Sequence, residues 1–245
     1  MIKTLDVIIT STGRRTIIPT LKSFREKIVF SGKYNFIVNI DALHKKDLHK
    51  VIKFLSKEGF NNININIEGS SIGHAKAINY LFNKIKTPFF FHLEDDWLFF
   101  KEVNLDQLIQ IMVKHSEIDH IRLSKRTIRS EAWLYYKSNR IKGEEFVPKE
   151  NVLIEELSLV KTSIWSFNPS LNRTNIAKQL LEIPLGINPE IYLCKKYYEE
   201  VGRDGCYIYG KIGDKAIIKD IGRNNSNNFL RRLKSLLPLN NFLGK

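Results

Sequence analysis

The first hundred positions of the chain switch repeatedly between two hydrophobic periods. Leu5 to Thr10 is a short apolar run ending at Ser11, Thr12 and Gly13, the pattern of a buried strand running into a turn. Leu21, Phe24 and Ile28 then fall on one helical face, with Pro19 suited to an early helical position. Phe36 to Ile40 reads as a second buried strand, closing on Asp41. Leu48, Val51, Ile52 and Leu55 return to helical spacing, and Gly59 supplies a stop. Ile63, Ile65 and Ile67 alternate with polar residues, as a half-buried strand does. After Ser70, Ser71 and Gly73 a helix carries Ile78, Leu81, Phe82 and Ile85 on one face, until Pro88 breaks it. Phe89 to Leu93 is a continuous apolar strand that runs straight into Glu94, Asp95 and Asp96.

Strand and helix alternating in this way predict an α/β fold with a mostly parallel central sheet flanked by helices, because parallel neighbours need crossover connections. Ligands of such sheets bind outside the carboxyl ends of the strands. That rule gathers Thr10 to Arg14, Asp41, Gly69 to Gly73 and Glu94 to Asp96 along one rim. Beyond Asp96 the pattern loosens into a smaller α+β region. Leu105, Leu108, Ile109 and Met112 predict a helix, and Ile121 to Leu123 a short strand. Residues 127–150 are charged and irregular, which predicts a loop or lid. Trp165 to Phe167 reads as a strand that turns at Asn168-Pro169. Helices are expected over 175–181 and 189–201, and a hairpin from Cys206 to Ile218 turning near Gly213-Asp214. The expected organisation is one catalytic-type domain over 1–226, with halves 1–100 and 101–226, followed by a tail over 227–245.

Composition changes this picture little. Of 245 residues 43% are hydrophobic and 27% charged, a soluble globular profile with enough apolar material for a core. Cys194 and Cys206 have neither disulfide-framework nor zinc-type spacing, which favours a reducing, cytoplasmic setting. No apolar run approaches the ~20 residues of a membrane span, and the run at Leu5 is too short for a secretory signal. The net charge of +13 favours anionic partners. Its lysines are dispersed and carry no nucleic-acid-binding signature, so a nucleic-acid partner is not expected. A solvated lysine-rich surface explains the same charge.

The acidic triplet carries the chemistry. Three consecutive carboxylates repel one another unless a cation is near, and hard ions such as magnesium or manganese bridge carboxylates to phosphates. In extended geometry Glu94 and Asp96 point to one side and Asp95 to the other. A solvated acidic turn accounts for the triplet equally well in isolation. The surrounding residues add context. Ile72-Gly73-His74-Ala75-Lys76-Ala77-Ile78-Asn79, then Thr87-Pro88-Phe89-Phe90-Phe91-His92-Leu93-Glu94-Asp95-Asp96-Trp97, resembles family 2 glycosyltransferases of the GT-A fold. Ile8 to Arg14 and Ile40-Asp41 look like that family's nucleotide-contacting segments, and Glu94 stands where a DxD motif has its first aspartate.

The resemblance implies an inverting transferase that uses Mn2+ or Mg2+ and a nucleoside-diphosphate sugar, UDP favoured over GDP, with a glycan or lipid-linked acceptor. It implies that Thr10, Ser11, Thr12, Arg14 and Asp41 hold the nucleotide, with Gly73, His74, Asn79, Glu94 and Asp95 beside the nucleotide or sugar. Asp41 and His74 can equally cap local structure. Asp96 and Glu94 would ligate the metal, joined by Asp220 where the family often has a late histidine. Glu190, in the first turn of a helix that Pro189 starts, fits the general base, with Asp95 as a second catalytic carboxylate; a helix-dipole contact explains Glu190 as well. Trp165 and Asn168 resemble the acceptor-side loop, where an aromatic ring stacks on sugar, although a core tryptophan is the alternative. In the tail, Phe229, Leu230, Leu233, Leu236 and Leu237 recur at helical spacing with Arg231, Arg232 and Lys234 between them. This amphipathic pattern can lie reversibly on an anionic membrane surface, or pack on the domain. A sugar nucleotidyltransferase is the rival enzyme class, but it requires a glycine-rich phosphate loop that Ser11 to Arg15 does not form.

Overall fold

The computed structural model describes residues 2–67, 72–128, 150–202 and 204–222. Strand β1 (Thr4–Ser11) leads through α1 (Ile17–Lys27) and a two-residue β2 (Ile28–Val29) to β3 (Lys33–Asp41). Then follow α2 (Lys45–Lys57), β4 (Asn62–Asn66), α3 (His74–Lys84) and β5 (Phe89–Glu94), close to the alternation read from the sequence. β1 pairs in parallel with β3 and β5, and β3 pairs in parallel with β4, giving the order β4-β3-β1-β5. The chain first builds outward from β1 and then returns to its other side. The crevice between the carboxyl ends of β1 and β5 is therefore the switch point, where open α/β sheets bind ligands.

The second half extends the same sheet in mixed sense. Its elements are β6 (Trp97–Phe99), β7 (Val103–Asn104), α4 (Leu105–Lys114), β8 (His120–Arg122), β9 (Glu150–Ile154), β10 (Leu157–Thr162), β11 (Ser170–Arg173), α5 (Thr174–Gln179), α6 (Pro189–Lys196), β12 (Cys206–Tyr209) and β13 (Ile218–Asp220). A π-helical turn at Tyr197–Val201 continues α6. Beyond β5 the order runs β11-β8-β12-β10-β9, antiparallel except for β8 with β12. Each face of the sheet carries its own core. Val7, Ile9, Phe91 and Leu93 pack with Phe24, Leu55 and Leu108 from α1, α2 and α4. Ile8, Ile37 and Phe90 pack on the other face with Ile78, Leu81 and Phe82 of α3 and Leu193 of α6. Asp6, 1% exposed, accepts from Asn35 Nδ2 and the backbone amides of Lys86 and Thr87, which ties the start of β5 to β1 and β3.

Two expectations for the second half are corrected. Trp165 to Phe167 is an extended loop and not a strand, because its polar groups bond to side chains of the neighbouring elements rather than to a ladder. Cys206 to Ile218 does not form a hairpin. The chain does turn at Gly213-Asp214, but β12 pairs with β8 and β10 while β13 pairs with β6, so the two strands enter different sheets. The tail over 227–245 and most of the irregular stretch 127–150 lie outside the described residues.

Two buried histidines pack against the loop between β10 and β11. His120 Nδ1 meets Asn172 Oδ1 at 2.6 Å, Ser166 N donates to His120 Nε2 at 3.4 Å, and the ring stacks on Trp165. His92 packs on Phe167 with centroids 4.9 Å apart. Burial brings both imidazoles down to about 3. Their folded values lie below the unfolded 6.5, so their stabilising contribution is complete above pH 6.5 and is lost as pH falls toward 3. Each costs about 1.4 kcal/mol per pH unit within that window. Glu94, raised to about 8, acts in the opposite sense, gaining stability as pH falls from 8 to 4.5. Two losses outweigh one gain. Urea midpoints are expected to fall from pH 6.5 to pH 5, and to fall more steeply in Glu94→Gln; a flat profile would contradict the neutral buried histidines.

Candidate active site

The turn after β1 and the turn after β5 are held together by one carboxylate. Asp95, 2% exposed, accepts Ser11 Oγ at 2.7 Å and Thr12 N at 2.9 Å on Oδ2, and Arg14 Nη2 at 2.6 Å on Oδ1. Gly13 at φ 79 supplies the left-handed step that brings Arg14 back over the strand end. Arg14 Nη2 also donates to Asp96 Oδ2 at 2.8 Å. The strict alternation expected of the triplet ends here. β5 stops at Glu94, Asp95-Asp96 forms a turn, and β6 resumes at Trp97. Asp95 and Asp96 therefore converge on Arg14, while Glu94 leaves on the other side. Asp95, expected as a catalytic or sugar-binding carboxylate, has three of its about four lone-pair sites taken by the protein, so in this structure it ties the two turns together.

Glu94 accepts from Trp97 Nε1 at 3.3 Å and lies 3.8 Å from His74 Nε2. Burial, followed by the charges of Asp96 and Glu190, raises its carboxyl to about 8. Burial and Asp95 raise Asp96 too; Arg14 opposes them and Asp220 adds to them. Asp220 reaches this cluster because β13 pairs with β6, placing Asp220 opposite Trp97 and letting Ile221 N donate to Asp96 O at 2.8 Å. The late acidic residue thus stands beside the triplet. Among the described residues, no three His, Cys, Asp or Glu side chains gather closely enough to ligate one ion unaided.

Across the crevice, Asn188 caps α6 by accepting from Glu190 N and Ile191 N. Glu190 Oε1 accepts Ser166 Oγ at 2.8 Å and Phe167 N at 3.1 Å. Glu190's charge acts on both Glu94 and His74, so the three titratable groups face one another. Phe167 lines the same place, 5.2 Å from His74 and 4.9 Å from His92 between ring centroids. Ser166 and Phe167 are the site residues that sequence reasoning missed. They lie within the segment it singled out, but read as a short strand that segment offered nothing to mark them above Trp165 and Asn168.

The remaining expected site residues divide. Thr10 pairs with Glu94 across the strand ends, and Thr12 and Gly73 sit on the same rim. Asp41 accepts Asn66 Nδ2, Ile72 N and Gly73 N at 3.2–3.4 Å, so it shapes the approach to α3 from the rim. Asn79, half-buried, bonds through its amide oxygen and nitrogen to Ile183 N and O at 2.9 and 2.8 Å, tethering the chain ahead of α6. Trp165 is corrected. It is 1% exposed and packed between His120 and Tyr197, which leaves no ring face for a sugar. Asn168 is also buried, its N–H closing a turn onto Ser166 Oγ.

No family model matches the chain, and no curated protein matches it by sequence. Solved structures do. S. aureus TarS 1-349 superposes with a TM-score of 0.56 at 16% identity, covering 89% of this chain and 60% of that one. Its complex with UDP gives 0.57, and TarS 1-349 has also been solved with UDP-GlcNAc. The mannosyltransferase PcManGT from Pyrobaculum calidifontis, in complex with GDP-Man and Mn2+, gives 0.55 at 13% identity, covering 84% of this chain and 56% of that one. At these identities the likeness is one of fold, and this chain has the GT-A α/β fold. It spans about 60% of the shorter TarS chain and 56% of the mannosyltransferase.

Proposed function

We propose that this chain is a glycosyltransferase that moves a sugar, with inversion, from a nucleoside-diphosphate sugar to a hydroxyl of a glycan or lipid-linked acceptor. The observation that carries the reading is the pairing of two chemistries across the switch-point crevice. One wall is the cluster of Arg14, Glu94, Asp96 and Asp220; the other is Glu190, oriented by two donors on one oxygen. The bound UDP, UDP-GlcNAc and GDP-Man of the structurally similar proteins support the donor class.

The cluster fits a divalent ion by its donor chemistry. Hard ions of this kind are commonly held by one or two carboxylates plus substrate phosphates, so a preformed three-ligand cage is not required. Asp96, joined by Asp220 or Glu94 and by the diphosphate oxygens, would hold Mn2+ or Mg2+; the heightened proton affinity of Glu94 and Asp96 reflects burial and a local excess of negative charge. When bound, the ion would neutralise charge on the departing diphosphate. Glu190 would take the acceptor hydroxyl's proton, with Ser166 and Phe167 N fixing its Oε1 so that the carboxylate keeps one orientation. Thr10, Thr12 and Asp41 line the rim where the nucleotide would rest.

Calorimetry with UDP and GDP, with and without Mn2+, tests the reading. Micromolar binding of UDP that disappears with chelator, and weakens at least about tenfold in Asp96→Ala, is expected, the scale of one charge-assisted contact. Binding indifferent to both would remove the metal bridge from the proposal.

A further inference from the structure

The cation already present in the acidic cluster is a side chain. Arg14 Nη2 donates to both Asp95 Oδ1 and Asp96 Oδ2, but the two carboxylates are not in equal need of it. Asp95 is otherwise satisfied by Ser11 and Thr12 and is 2% exposed, whereas the Asp96 side chain is 17% exposed and takes its hydrogen bond from Arg14. Gly222 presses on this pair: a Cβ there would overlap Asp96 Oδ2 and approach Arg14 Nη1. Its neighbour Ile221 is fixed to the Asp96 carbonyl. The Arg14 Nε–H, meanwhile, is buried and has no hydrogen-bond partner among the described residues, so the guanidinium holds an unspent donor beside the crevice proposed for the diphosphate. A buried donor left unmade is costly unless a ligand or water uses it.

We infer that Arg14 is the resident counter-ion of the donor site: it holds Asp96 when no donor is bound and yields it when nucleotide diphosphate and metal arrive together, turning its own charge to the diphosphate. This rests on the proposed donor reading. Arg14 keeps its bond to buried Asp95 throughout, so the hand-over concerns Asp96 alone. The consequence is ordered selectivity. Metal without nucleotide must compete with a guanidinium for Asp96, and nucleotide diphosphate compensates for releasing it by offering Arg14 a new anion. Arg14 is thus a positioning residue that makes metal and diphosphate binding cooperative.

The test measures free Mn2+ by electron paramagnetic resonance, with and without UDP, in the wild-type protein, Arg14→Gln and Arg14→Lys. Glutamine removes the charge; lysine keeps a charge for Asp95, and with it the fold, but a single ammonium has no counterpart of Nε and Nη1 to turn to the diphosphate. Without UDP, Arg14→Gln is expected to bind Mn2+ about tenfold more tightly than wild type, and Arg14→Lys to fall between them. With Mn2+ present, UDP affinity is expected to fall about tenfold in Arg14→Gln. Wild-type protein that binds UDP with Mn2+, alongside variants whose Mn2+ affinity is unchanged or weaker, overturns the counter-ion role and leaves the donor reading standing. Wild-type protein that binds neither UDP nor GDP with Mn2+ overturns the donor reading itself, and the hand-over with it.

Discussion

Glu190→Gln is expected to lower turnover by about 10²–10⁴-fold, the contribution typical of a positioned general base, while leaving nucleotide-diphosphate affinity unchanged. The substitution is nearly isosteric. The glutamine carbonyl can still accept from Ser166 Oγ and Phe167 N, so the loop that Glu190 holds keeps its anchor. What is lost is the ability to take a proton. Ser166→Ala provides the complementary measurement. It leaves the carboxylate but removes one of its two donors, so turnover should fall by about tenfold as the carboxylate loses its fixed orientation, far less than in Glu190→Gln. A variant Glu190→Gln that turns over at near-normal rate would transfer the base role to another group facing the crevice. Glu94 is the nearest in character, since its carboxyl is raised to about 8 and it feels Glu190's charge directly.

The sequence was most informative where local pattern and tertiary environment agree. β1 and β5 are apolar runs buried on both faces, so their existence and the gathering of their polar ends on one rim were legible. The helices α1 to α4 follow their hydrophobic stripes to within a few residues of the expected spans. Legibility failed where side chains are committed to the chain's own backbone. Nothing in the spacing of Asn79 says that its amide pairs with Ile183, more than a hundred residues later. Trp165 looked like an acceptor platform because an aromatic in a polar loop suits either role; only packing against His120 and Tyr197 decides it. β9 to β11 escaped notice for two reasons. β11 pairs with β5 and β8, both distant in sequence, whereas β9 and β10 form a hairpin over Glu155-Glu156, which carries no glycine or asparagine turn signal, and β9 at the sheet edge has no burial pattern to announce it. The acidic triplet was found correctly as a cluster but divided wrongly within it. Strand alternation assigns Asp95 outward, whereas the turn at Asp95-Asp96 gives the two aspartates one shared guanidinium.

That internal division leads to the second large effect, which concerns stability. Asp95→Ala is expected to destabilise the fold by about 3–5 kcal/mol, the scale for removing one partner of a buried charge pair. Ser11 Oγ, Thr12 N and Arg14 all lose their acceptor at once, in a position 2% exposed, so no water replaces it without cost. For a domain of this size about 1 kcal/mol corresponds to roughly 2–4 °C, so the melting temperature should drop by about 6–20 °C. Asp96→Asn should behave differently. Its side chain is 17% exposed, its bond to Arg14 can pass to the asparagine oxygen, and Arg14 retains Asp95, so melting should stay within about 4 °C of wild type, as for a partly exposed pair. The same Asp96→Asn protein should lose Mn2+-dependent UDP binding. Two adjacent aspartates would then separate cleanly, one holding the strand ends in register and the other facing the ligand. An Asp95→Ala protein that melts like wild type yet no longer binds UDP would reverse that assignment and return Asp95 to the ligand-contacting set.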